Sequence, residues 1–144
     1  MSFQWLDMRI SEERDRRKRE EQVLERLPRA LDDLRQLLAQ CIADYQNAFG
    51  AESAELSGHL SRVRITAREQ RDGKWETTAK VEVSIDTKIP GLLIDRAGTP
   101  LTIEIGVLPN DKVYFRDLEK DQYVTTEDLT RQILDRALFP RLPE

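Results

Sequence analysis

The sequence predicts an α+β fold in two layers: an antiparallel meander sheet of four strands, or five, packed on one face by a long N-terminal helix and a C-terminal helix. Three observations predict it. Apolar residues recur at helical spacing as Leu24, Leu27, Leu31, Leu34, Leu38, Cys41, Tyr45 and Phe49, and Val23, Ala30, Leu37 and Ile42 widen the stripe beyond a coiled-coil seam. A stripe that broad suits a sheet. From His59 the period changes to two, and after Thr125 it returns to that of a helix, with Leu129, Ile133, Leu134 and Ala137 on one face.

Length and charge bound the rest. A chain of 144 residues is read as one domain, 1–144, able to bury roughly 70% of its unfolded surface. The single cysteine, Cys41, excludes an internal disulfide and sits on the apolar stripe as a small hydrophobe. A formal net charge of −4 argues against holding nucleic acid by bulk charge. No apolar run has the length of a signal-peptide core or a membrane span, so the expected location is the cytoplasm, with no membrane contact.

Residues 1–10 carry Phe3, Trp5, Leu6, Met8 and Ile10 with no trustworthy period, and are read as an arm. Ser11 is the expected N-cap of a charged, solvated helix over 11–27, supported by Glu12 with Arg16, Glu13 with Arg17 and Asp15 with Arg19. The run Arg16-Arg17-Lys18-Arg19 is nearly cancelled by its acidic neighbours and reads as a solvated face. Pro28 falls inside the periodic region and predicts a kink or break, with the core helix over 28–50 ending at Gly50.

The sheet is expected over 58–117. Val63, Ile65 and Ala67 alternate with polar residues, as do Ala79, Val81, Val83 and Ile85. A two-residue Asp72-Gly73 turn would set Ile65 against Lys80, so a three-residue loop ending at Gly73 is preferred, with Val63 opposite Val81. By the same parity, a Pro109-Asn110-Asp111 loop pairs Val107 with Val113 and Ile105 with Phe115, and sets Tyr114 over Gly106. Ile89 to Ile94 reads as an edge strand or a loop. The C-terminal helix is expected over 125–139, capped by Thr125 and stopped by Pro140.

No catalytic, metal-ligating or cofactor-binding motif occurs. His59 is the only histidine, expected to face inward opposite Ile85, and Cys41 has no basic neighbour in sequence. The six glycines are spread over turns rather than gathered into a phosphate loop. Three function classes follow: a non-enzymatic interaction or assembly module, a small-ligand domain with an apolar cavity between helix and sheet, and an enzyme of unrecognised type. The first predicts a homo-oligomer or an unidentified protein partner, with Trp5, Ile89, Leu92, Leu93 and Ile94 at the interface, because these apolar side chains lack an evident home. The second places Tyr45, His59 and Trp75 at the cavity mouth.

Overall fold

In the computed structural model, which describes residues 3–96 and 98–143, the apolar stripe lies on a sheet, as its width demands. Helix α1 (Gln4–Phe49) is followed by β1 (Ala54–His59), β2 (Arg62–Arg71), β3 (Lys74–Asp86), β4 (Gly91–Arg96), β5 (Leu101–Val107), β6 (Val113–Asp117) and β7 (Gln122–Val124), and then by helix α2 (Thr126–Leu138). The strands pair antiparallel in sequence order, β1 to β7. The α+β class holds, but the sheet has seven strands rather than four or five. β1 begins ahead of the expected sheet, where only Ala54 and Leu56 supply inward apolar side chains and no alternation is evident. β7 is three residues long, too short to show a period.

Both helices cover one face of the sheet. Leu27, Leu31, Leu34 and Leu38 of α1 and Leu129 and Ile133 of α2 join Val63, Ile65, Val83, Ile94, Ile103 and Ile105 in a single buried cluster. Each such side chain contributes roughly 1.5–3 kcal/mol on burial. The opposite face is polar and laced by cross-strand ion pairs: Glu82 takes both Arg62, at 3.0 Å, and Arg64, at 3.1 Å, and Arg116 meets Glu104 at 3.1 Å.

Helix α1 differs from expectation at two places. The arm of residues 1–10 is helical from Gln4 onward, so Ser11 is an interior residue and not the cap; Phe3, at the N-cap position, makes no side-chain cap bond. Nor does the helix break at Pro28. Proline there removes the amide that would bond the Leu24 carbonyl and in a helix interior costs about 3 kcal/mol, but Val23 and Leu27 before it and Leu31 and Leu34 after it are all buried on the same sheet. Packing on both sides keeps the chain helical through this point, and Pro28 itself lies on the exposed face.

The two central hairpins test the register argument in opposite ways. In the β5–β6 hairpin the expected pairs are present: Val107 with Val113, Ile105 with Phe115, and Gly106 with Tyr114. Asp111 takes the left-handed conformation at φ 69°. A Cβ on Gly106 would lie 2.0 Å from Tyr114 Cζ, so the ring occupies the space a side chain would fill. In the β2–β3 hairpin the expected loop is wrong. Asp72 and Gly73 form a two-residue turn with φ of 54° and 76°, the primed geometry that matches strand twist, and Arg71 pairs with Lys74. Parity is restored farther along by a bulge at Thr78: Arg68 pairs with Thr77, but Ala67 pairs with Ala79. Val63 therefore faces Val83, Ile65 faces Val81, and Arg64 faces Glu82 rather than Lys80. The Thr78 hydroxyl donates to the Ala67 carbonyl across the bulge at 3.3 Å.

Candidate interaction surface

No residue of α1 before Val23 is buried. At 1.5 Å per residue, the stretch from Gln4 to Gln22 is about 28 Å of helix without a face on its own body. It is helical because i to i+3 and i to i+4 ion pairs support it and because its C-terminal end continues into a packed helix, which removes the cost of nucleation. Arg16 bridges Glu13 and Glu20, each at 2.7 Å, and Arg17 reaches Glu13 at 3.1 Å. The two guanidiniums hold the Glu13 carboxyl down to about 2. Of the expected pairs, only Glu13 with Arg17 forms; Glu12 is taken by Arg9 at 3.0 Å.

The tip of this stretch carries the apolar residues. Trp5 is 66% exposed, and Phe3, Leu6, Met8 and Ile10 are exposed beside it. Phe3, Leu6 and Ile10 follow each other at spacings of three and four and so share one side of the helix, a pattern that partner helices present to grooves.

The other predicted interface residues are placed differently. Ile89 to Ile94 is not an edge strand: Ile89 and Pro90 lie in the turn after β3, and Gly91–Arg96 is β4, the middle strand of the sheet, paired on one side with β3 and on the other with β5. Leu92 and Ile94 are 0% exposed in the core, Ile89 is half-buried, and Leu93 alone points to the polar face, 39% exposed. The Ile89 to Ile94 segment thus supplies the core its own fold needs. Gly91 explains how β4 and β5 approach, since a Cβ there would lie 1.9 Å from the Ile103 carbonyl oxygen.

The three residues assigned to a cavity mouth do not converge. His59 does not face inward opposite Ile85; it ends β1, pairs with Arg62 across a tight turn and is exposed, its carbonyl accepting from Arg35. Tyr45 and Trp75 do line one open groove of about 500 Å³, shared with Phe139 and Arg141. There the Arg141 guanidinium grips Glu69 at 2.6 and 2.8 Å and holds its carboxyl below the usual range.

A second open groove, of about 560 Å³, runs between the end of α1 and α2, and the sequence did not disclose it. Its floor is Tyr45, Phe49, Leu134, Leu138 and Phe139, with Cys41 at one side. The Tyr45 hydroxyl donates to the Leu138 carbonyl at 3.2 Å, and its ring packs against Phe49 and Phe139 with centroids 4.8 and 5.6 Å apart. Burial, aided by the Asp44 carboxylate, pushes the Cys41 thiol up, away from a reactive thiolate. The rim is acidic: Asp44, Glu127, Asp128 and Asp135 stand against Arg131 alone. Residues 45 and 134 meet through the packing of α1 on α2, which no local pattern records; the one available signal was apolar Phe49 and Phe139 at the outer ends of both helices.

Buried Asp117 and Ser53 shape turns. Asp117 accepts from the amides of Glu119 and Lys120 at 3.0 and 3.2 Å, shaping the β6–β7 turn, and the Ser53 hydroxyl donates to the Gly50 carbonyl at 2.7 Å. Among the described residues no cluster of three or more His, Cys, Asp or Glu is placed to hold a metal ion. No helix among them is long and apolar enough to cross a membrane. No protein-family model matches the chain, and no curated protein or solved structure matches it.

Proposed function

We propose that the protein is a non-enzymatic assembly module whose sheet and two helices serve as a base for the front of α1, which is the contact element. The observation that carries this reading is the tip itself. Five large apolar side chains, Phe3, Trp5, Leu6, Met8 and Ile10, are exposed together on a helix that has no face on its own body. Large apolar area held in water is costly and marks contact sites. Two further observations support it: buried Asp117 and Ser53 serve turns, and the grooves are open surface features.

The reading is tested by replacing Trp5 with a photo-crosslinking amino acid in cells. Discrete covalent protein adducts are expected, and they should vanish when Leu6→Glu is added, because a charge at the centre of the contact face is not tolerated. Illumination that gives no protein adduct overturns the proposal.

A further inference from the structure

We infer that the front of α1 pairs antiparallel with the front of α1 in a second copy of this chain, the pair centred between Arg14 and Asp15. The inference rests on the assembly reading above and names its partner. An unbroken alternation of threes and fours runs along the helix from Leu6 through Arg9, Glu13, Arg16 and Glu20 to Val23, and on into Leu27, Ala30 and Leu34. It is one seam. Arg16 bridges both Glu13 and Glu20, which sets these three on one side of the helix, and Val23, Leu27, Ala30 and Leu34 are buried together farther along. Over the packed half the sheet covers this seam; over the free half it is bare.

The order of the charges selects the occupant. Gln4–Gln22 carries six cations and six carboxylates, so no net attraction chooses a partner, but their sequence is complementary to its own reverse. In the antiparallel pair Arg9 meets the second copy's Glu20 and Glu13 meets its Arg16, while Glu12 meets Arg19 on one flank, each contact made twice about the two-fold axis. The ends are apolar. Leu6 comes level with Val23 and Phe3 with Leu24, and Trp5 falls beside the second copy's Arg26, a guanidinium suited to an indole face. The body of the second copy begins at this level, with Val23 buried on its own sheet and Leu24 half-buried. Leu108 is 42% exposed there, on the β5–β6 turn that Arg26 grips through Asp111. Each apolar tip therefore ends against a partly apolar edge.

Other alignments fail on the same residues. A parallel pair in register sets Arg9, Glu13, Arg16 and Glu20 each against its own copy, and like charges side by side are destabilising. Sliding the antiparallel pair by one heptad toward the tips puts Leu6 against Arg16; sliding it the other way drives the tip under Ala30, which the sheet already buries. Charged layers fix direction and register at a cost in affinity, so the dimer is a weak one, and its attraction comes from the two ends.

The test uses the purified full chain and two variants, Glu13→Arg and Arg16→Glu, each first shown by cooperative melting to be folded, since both changes lie outside the packed half. Sedimentation at high micromolar concentration and low salt is expected to give a dimer for the wild type, loosened as salt is raised. Each variant alone sets like charges across the seam and should associate at least about tenfold more weakly. Mixing the two restores opposite charges at both layers, so a one-to-one dimer should reappear with an affinity near that of the wild type. A photo-crosslinking residue in place of Trp5 should join the stretch around Arg26 or the β5–β6 turn of the second copy. A wild type that stays monomeric at high micromolar concentration overturns the inference. So does a mixture that fails to associate, a dimer indifferent to either charge change, or a crosslink from position 5 to the tip of the second copy. A crosslink in cells to a different protein, with the purified chain monomeric, sinks this inference and leaves the assembly reading standing; absence of any crosslink sinks both.

Discussion

The two halves of α1 are one helix held by different forces. From Val23 to Ile42 the stripe Val23, Leu27, Ala30, Leu31, Leu34, Leu38 and Ile42 is buried against the sheet, so helical structure there follows from tertiary packing. From Gln4 to Gln22 nothing is buried, and the helix rests on weak, exposed ion pairs and on propagation from the packed half. Helical propensity and charge pairing are thus enough to extend a helix once packing has nucleated it. They are not enough to explain why the extension carries a tryptophan and four other large apolar residues. The packed half accounts for the fold, and the free half for the proposed contact.

The largest expected break in this comparison comes from the packed half. Leu31→Ala should lower unfolding free energy by about 2–5 kcal/mol, the cost of lost transfer energy plus a cavity, whereas Leu6→Ala should stay within about 0.5 kcal/mol in dilute solution. Chemical denaturation of both variants measures the contrast. Next is Pro28→Ala, which restores a backbone N–H that donates a hydrogen bond to the Leu24 carbonyl between the halves. It should stabilise the protein by about 1–3 kcal/mol and raise helicity by circular dichroism.

A smaller effect is expected at the junction, where Arg26 forks onto the Asp111 carboxylate in the β5–β6 loop and holds that carboxyl below its usual range. The pair is largely exposed, so Arg26→Ala should destabilise less than either change above, and the effect should shrink further in high salt. The smallest concerns acid. Glu13 titrates near 2 in the folded helix against an ordinary 4.5, so its support for the free half is complete above 4.5 and is lost as pH falls toward about 2. Helicity should decline over that window in the wild type, and Glu13→Gln should flatten this part of the titration.

How much of this could be read from the sequence follows from what each signal encodes. The packed half of α1, the β5–β6 register and the Thr125 cap, whose hydroxyl accepts from the Asp128 amide at 3.1 Å, were legible because the pattern and the structure are both local. The β2–β3 loop was misread because parity was imposed from the turn, while the chain places a favourable turn at Asp72-Gly73 and corrects the parity at Thr78, six positions beyond the Asp72 end of that turn. Leu92 and Ile94 have no evident home in a sheet of four or five strands; the seven-stranded sheet puts β4 at its centre and both residues in the core. Trp5 was recognised as unplaced, but its arm was not seen as helix, since solvated helices carry no apolar period. The groove was invisible because α1 and α2 meet only in three dimensions.

The central claim is that the front half of α1 has no home on its own body. Residue-resolved amide hydrogen exchange on the purified chain, dilute enough to be monomeric, tests it most directly. Protection should approach the global stability from Leu27 to Ile42 and fall steeply across Val23 and Gln22, leaving residues 5–20 exchanging within about two orders of magnitude of an unstructured peptide, as expected for a marginal solvated helix. Uniform protection from residue 5 to residue 42 in the monomer would mean that the front half is packed on the chain's own body, and would contradict the account.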